Sequence, residues 1–414
     1  MSTEAAEIVV AGGGVIGLCT ALTLCGEGRE VLLVDRNEPG TGASQGNAGV
    51  LAIYECLPVG TPGVLKSLPQ LLLNPDSPLS ISPTALPQLL PWLLRFARAS
   101  LKQRARAGAT TLAALLKHSQ AAYAPLIEQA GAQSLVRHEG ALHLFRQQRD
   151  LDAAAWDREL RNELGIRQTL LDRHDIESLE PTVPPDYAHG ILFPDAVHLT
   201  DPLELMQLLA RAFVAQGGKI VRANIANLRH SDRQVTLTAP GIELRARTAI
   251  IALGAWSAGL ARQLGDRIPL ETERGYHIEF PTPAPFLTRP VCPIELGFYL
   301  TPMAGRLRAA GTVELSSLHR AANPRRLQLI ERGARRFFPD LGPAQSSWLG
   351  FRPSLPDSIP IIGRSPRARN VIYAFGHGHL GVTLAAQTAR IVSDLVAGDR
   401  DTSHLAALSP TRFC

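Results

Sequence analysis

The sequence predicts a protein of the α/β class, and three observations carry that prediction. A short apolar run, EIVVA at residues 7–11, has the length and composition of a buried strand. It runs into GGGVIG at 12–17 and then LCTALTLCGEG, whose apolar residues recur at helical spacing before closing on glycines. A second apolar run, EVLLVDR at 30–36, ends on an acid and a base. Together they make a β-α-β unit, and a crossover of this kind joins parallel strands.

The glycine turn is the informative part. Gly12, Gly14 and Gly17 stand at the spacing that lets a chain turn tightly and lets its backbone approach a pyrophosphate. The helix they open offers unpaired N–H groups and a partial positive charge to phosphate. Asp35, 18 residues beyond Gly17, is placed to accept hydrogen bonds from a ribose. This is a Rossmann-like dinucleotide site. GTGASQGNAG at 40–49, with polar Ser44, Gln45 and Asn47 among small residues, is placed to line a second part of a long cofactor.

From 51 to 100 the pattern changes. Eight prolines between Pro58 and Pro91 interrupt leucine clusters, which reads as an insertion of short helices and loops. Helical spacing returns over 101–130, and GALHLF (140–145) and HGILFP (189–194) read as strands. At TDPLELMQLLARAFVAQGG, Asp201 is an N-cap, Pro202 the first helical residue, Glu204 the capping-box partner, and Gly217–Gly218 the stop. KIVRANIANLRH, QVTLTA and IELRARTAIIALG then read as strands, with a turn at Pro240–Gly241. Near the end, strand NVIYAF meets a glycine turn and the helix VTLAAQTARIVSDLVAG.

Composition narrows the function classes. A hydrophobic content of 45% with 19% charged residues describes a folded chain, long enough for two or three domains. The net charge of +5 comes from scattered arginines with only four lysines, and no basic run carries interleaved aromatics, so nucleic acid is not an expected partner. Five cysteines, at 19, 25, 56, 292 and 414, show no zinc spacing and predict free thiols in a reducing, cytoplasmic compartment. No secretory signal pattern and no uninterrupted apolar span of membrane length is expected. His377 and His379 lack a neighbouring carboxylate or cysteine, so no metal is expected there.

VVAGGGVIG, VLLVDR, GASQGNAG, IIALGAWSAGLARQLG, ERGYHIEF, AAGTVEL, GFRPSLPDSIPIIGRSP and YAFGHGHLGVTLAAQ, in this order over residues 8–397, resemble the D-amino-acid oxidase/dehydrogenase family of FAD flavoenzymes. The bacterial D-amino-acid dehydrogenases are the most similar within it. The resemblance implies a Rossmann-like FAD-binding domain, discontinuous in sequence (1–50, 195–265 and 350–414), and an α+β substrate domain with a large mixed sheet (51–194 and 266–349). It implies FAD held by Gly12, Gly14, Val15, Ile16, Gly17, Asp35, Arg36, Ser44, Gln45, Gly46, Asn47, Ala48, Gly254, Trp256, Gly378, His379, Leu380, Gly381, Val382 and Thr383. Arg352 is the implied carboxylate grip, since a planar guanidinium pairs bidentately with a carboxylate. Tyr276, His277, Tyr54 and Tyr299 are further implied substrate contacts, and Tyr276 and His379 join Arg352 as implied catalytic groups.

The implied reaction is oxidative deamination of a D-amino acid. Hydride passes from Cα to flavin N5, and the imino acid hydrolyses to a 2-oxo acid and ammonia. Related oxidases place a lysine near the flavin, and none of the four lysines lies in a flavin motif, which points to a quinone or carrier as acceptor. The Pro/Leu-rich stretch 68–100 is a candidate for peripheral contact with the inner face of a bacterial membrane. Alternatives are a D-proline or D-hydroxyproline dehydrogenase with partner subunits, a glycine or sarcosine oxidase, and a flavin-binding subunit without turnover.

Overall fold

The first strand extends further back than EIVVA. It is Ser2–Ala11, paired in parallel with Val31–Asp35 on one side and Ile242–Ile251 on the other. The computed structural model describes residues 2–74, 76–282, 284–398 and 403–413; Cys414 lies outside them. Alternation along these strands serves two cores. Ile8, Val10 and Leu33 face one helical layer, whereas Val9, Ala11, Leu32 and Val34 face the opposite cluster. Covering both faces is what a largely parallel sheet requires.

This first sheet has eight strands drawn from three separate stretches of chain. Lys219–Arg222 adds to one edge, Val235–Ala239 and Asn227–His230 extend the other, and Val371–Phe375 pairs in parallel with Ile242–Ile251. The turn at Pro240–Gly241 forms as predicted, with Gly241 in the left-handed region at φ +81°. The helix Gly381–Ala397 is buried against the helices Val15–Gly26 and Ser119–Gln129. With its preceding turn it is long and apolar enough to cross a membrane, but most of that span is buried inside the protein.

The second sheet has nine strands, in the order Ser346–Ser354, Glu271–Pro281, Arg306–Leu315, Phe298–Met303, Val291–Pro293, Ala141–Phe145, His189–Phe193 and Thr169–Leu171, with Leu79–Ile81 added beside Arg306–Leu315. Ser346–Ser354 runs across the boundary drawn at 350, so Arg352 stands in this sheet. The insertion forms the helices Pro62–Leu73 and Leu86–Ala99, of 12 and 14 residues, which run on through Pro69 and Pro91, so the short helices expected there are of ordinary length instead.

Asp201 caps Pro202–Ala215 by accepting from Glu204 N at 3.1 Å. Its other oxygen pairs with Arg306 at 2.8 Å, which ties this helix to the second sheet. The helix Pro324–Phe337 was not anticipated. Its five arginines mask an apolar face, Ile330, Ala334 and Phe337, that is buried against the second sheet.

Candidate active site

A cavity of about 900 Å3 is walled by residues of both sheets. It opens at the carboxyl ends of the parallel strands, where open α/β sheets bind ligands. At its nucleotide end, Asp35 Oδ2 accepts from Gly13 N at 2.6 Å and Oδ1 from Asn37 N at 2.8 Å. Asp35 therefore pins the glycine turn as well as lining the cavity. The Arg36 guanidinium lies 3.9 Å from the centre of the Trp256 ring, and Gly254 adjoins them on the wall. Ser44 Oγ accepts from Val15 N at 3.0 Å.

The three motif glycines have different duties. Gly14 lies on the wall with Val15 and Ile16. Gly12 and Gly17 stand behind it. A Cβ on Gly12 (φ +115°) would come 2.2 Å from the Ala252 carbonyl oxygen, and one on Gly17 would come 1.8 Å from that of Gly12. Both are glycine so that helix and strands can approach closely.

The segment 44–48 reaches the wall through Ser44, Gly46, Asn47 and Ala48, but Gln45 does not. The carbonyls of Gln45 and Asn47 accept from Arg308 Nη1 at 3.0 and 2.6 Å, which locks the loop from behind. A Cβ on Gly46 would come 2.1 Å from the ring of Trp348, itself a wall residue that sequence reasoning missed.

At the far turn, Gly378, His379, Leu380, Gly381 and Val382 all line the cavity. The positive end of the Gly381–Ala397 helix thus lies on the wall and favours negative charge there. Thr383 is turned away, and its Oγ1 accepts from Ala52 N at 3.1 Å. The two histidines diverge. His377 Nε2 meets Thr388 Oγ1 at 2.9 Å, and burial pushes its pKa down to about 3. His379 Nε2 meets Glu273 Oε2 at 2.6 Å.

The second sheet supplies the opposite wall, and its period of two explains which side chains arrive there. Arg352 lays its guanidinium on Gly275, where a Cβ would sit 2.2 Å from Cζ, and donates Nη1–H to the Thr312 carbonyl at 3.0 Å. Thr312 has φ +57°, and its Oγ1 is buried on the wall without a partner among the described residues. Glu273, two residues before Gly275, shares that face and was missed from sequence. Burial pushes its carboxyl up, but His379 and Arg352 beside it hold it below its ordinary 4.5.

Tyr276 follows Gly275 and faces the other way. Its hydroxyl donates to Glu314 Oε2 at 2.5 Å and accepts from Asn323 N at 3.1 Å inside the second core, which corrects its assignment to substrate and catalysis. His277 stacks on Trp348, 5.2 Å between ring centres, and its Nδ1 meets Gly46 O at 3.2 Å, behind the wall.

Tyr299 does line the cavity. Tyr54 does not: its ring stacks on Phe193, 4.0 Å between centres, and its hydroxyl meets that of Tyr299 at 2.9 Å. Tyr299 opens a polar cluster that sequence reasoning missed. His143 Nε2 lies 2.9 Å from the Tyr299 hydroxyl and 3.4 Å from Glu55, and Arg161 Nη2 is 3.4 Å from Glu55. Asp157 also lines the cavity and has no hydrogen-bond or ion-pair partner among the described residues. Burial pushes the Glu55 carboxyl up, but His143 and Arg161 pull it down to about 2. Burial, against Arg161, pushes that of Asp157 up. A histidine inside the apolar strand ALHLF was the one local signal for this cluster.

Glu273 gives a testable pH dependence. Its folded pKa lies below the unfolded value of 4.5, so its stabilising contribution is fully present above 4.5 and is lost as pH falls through the folded value. Glu273→Gln is expected to flatten the fall of Tm as pH drops below 4.5, measured by thermal unfolding; an unchanged slope would exclude the pairing.

The wall fits a long dinucleotide. A glycine turn and helix start lie at one end, a second helix start lies at the other, and a guanidinium and an unpartnered hydroxyl face the space between. Known proteins agree. The model of the FAD dependent oxidoreductase family matches residues 7–395. The chain is 34% identical over 99% of its length to a protein named D-amino-acid oxidase from Bradyrhizobium diazoefficiens, covering 99% of that protein. It is 32% identical over 98% to a D-amino acid dehydrogenase from Paramagnetospirillum magneticum, covering 99%. Among solved structures, glycine oxidase from Geobacillus kaustophilus superposes with a TM-score of 0.77 at 22% identity, covering 99% of each chain. A family match spanning nearly the whole chain thus coincides with a cavity shaped for its cofactor, and the protein belongs to the FAD dependent oxidoreductase family typified by D-amino-acid oxidases.

Proposed function

We propose that this protein oxidises D-amino acids to imino acids, which hydrolyse to 2-oxo acids and ammonia, and passes the electrons to a quinone or other carrier. The observation that carries the reading is Arg352, set on a glycine floor with one N–H spent on Thr312 and its other donors free for a carboxylate. When bound, FAD supplies the acceptor for the Cα hydride. The residues here bind and orient: Arg352 holds the carboxylate, Glu273 fixes His379 beside it, and Tyr299 borders the substrate space. The names of the relatives support the D configuration. All four lysines are exposed and none lines the cavity, which supports an acceptor other than oxygen.

The polar end of the cavity extends the reading to the substrate side chain. Glu55 and Asp157 outnumber the one permanently charged cation beside them, Arg161, and Asp157 is left without an ion pair among the described residues, which favours a basic side chain at this end. Anaerobic flavin bleaching against paired D- and L-amino acids, with proline, hydroxyproline and sarcosine included, tests both points. D-arginine and D-lysine are expected to bleach faster than D-norleucine, and Asp157→Asn is expected to narrow that preference by about tenfold, the effect of roughly 1.4 kcal/mol. Faster bleaching by L-amino acids or by sarcosine would overturn the reading. Equal rates for D-lysine and D-norleucine would overturn the side-chain assignment alone.

A further inference from the structure

We infer that the surface formed by the helices Pro62–Leu73 and Leu86–Ala99 is a docking face for an anionic lipid bilayer. The first of these helices, PGVLKSLPQLLL, holds five leucines, yet none of its residues is buried. Leu72 is 45% exposed and Leu73 83%. An apolar helix on a soluble surface ordinarily hides one face against the core, and this one hides none fully.

The second helix is apolar on two sides. Leu89 and Trp92 are buried against Ala85 and Leu315, which anchors the helix. At about 100° per residue, Leu86, Leu90 and Leu94 fall on a separate face. They are 46%, 52% and 64% exposed, and Leu101 just beyond is 55% exposed. Arg95 and Arg98 border that face, and Lys102 and Arg104 follow Leu101, all exposed. Leucines facing outward with a basic flank describe an interfacial helix.

Charge identifies the occupant. Residues 62–104, which hold both helices, contain five basic side chains and one acid, Asp76. Asp76 is itself paired with Arg332 at 2.7 Å. Lys66, Arg95, Arg98, Lys102 and Arg104 have no acidic partner among the described residues. A second copy meeting this face symmetrically would bring like charges together, whereas anionic headgroups complement it. This segment and the chain flanking it reach the active site: Pro58, Val59, Thr61 and Val64 line the cavity, and so does Leu112. A lipid-dissolved acceptor would leave the bilayer beside the cavity. That consequence rests on the proposed acceptor; the docking itself does not.

The test is co-sedimentation of the flavin-loaded full chain with phosphatidylcholine vesicles, with and without phosphatidylglycerol. Binding is expected only with the anionic lipid, weakening as salt rises. Leu90→Glu with Leu94→Glu, and separately Arg95→Glu with Arg98→Glu and Lys102→Glu, are each expected to lower the bound fraction about tenfold or more. Flavin content and turnover with a soluble dye should remain unchanged, which shows that the variants fold. No binding to anionic vesicles at low salt overturns the proposal, and so does wild-type binding by both variants. Light scattering showing a dimer that Leu90→Glu with Leu94→Glu dissociates, without lipid binding, overturns it in favour of self-association.

Discussion

Arg352→Met is expected to lower kcat/KM for every D-amino acid substrate by roughly a hundredfold or more, because stranding a desolvated carboxylate costs about 3 kcal/mol. FAD content should stay at the wild-type level, since the groups that pin the glycine turn and the loop 44–49 lie elsewhere. Burial lowers the Arg352 pKa from its ordinary 12.5 against the opposing pull of Glu273, and a guanidinium keeps its charge in proteins. Arg352→Lys should lose less, keeping the charge but not the planar fork. Gly275→Ala offers an independent check. Its new Cβ would stand 2.2 Å from Arg352 Cζ and push the guanidinium off its floor without removing it. Steady-state kinetics alongside flavin absorbance measure these effects, and an unchanged kcat/KM in Arg352→Met would remove the carboxylate model.

Gly12→Ala is expected to cost about 4 kcal/mol or more of stability and to leave the protein without flavin. Two effects add at this position. The backbone sits at φ +115°, which a side chain resists, and the new methyl would meet the Ala252 carbonyl oxygen at 2.2 Å. That carbonyl belongs to the neighbouring parallel strand's end, so the strand and the glycine turn must separate together. Gly28→Ala isolates the first effect. Gly28 is also left-handed, at φ +79°, but nothing stands within 4 Å of its would-be Cβ. Its cost should be only about 1–2 kcal/mol. Thermal unfolding and flavin occupancy of the two variants separate strain from collision, and equal Tm values would refute the packing role.

The nucleotide half was legible because its determinants are local. Strand, turn and helix follow one another within residues 2–35, and each is specified by its own apolar spacing and glycines. The substrate half was less legible. Its wall is assembled from strands far apart in sequence, so RGYH drew attention to Tyr276 while the pleat sent that ring into the core and left Glu273 on the cavity wall, with Gly275 beneath Arg352. Glu55, His143, Asp157 and Arg161 share one polar cluster, yet no motif joins them.

The histidine turn at 376–381 shows the same division. Its glycines and helix start could be read directly, and Gly378 and Gly381 stand on the cavity wall. That His379 is held by Glu273, 106 residues away, and that His377 is spent on Thr388, could not be read. By itself the sequence determined the class of fold and the glycine turn, because local spacing and backbone freedom are carried by neighbouring residues. Only the tertiary structure decided which face each strand residue shows and which distant charges meet, because sheet register and burial are settled between segments and not within them.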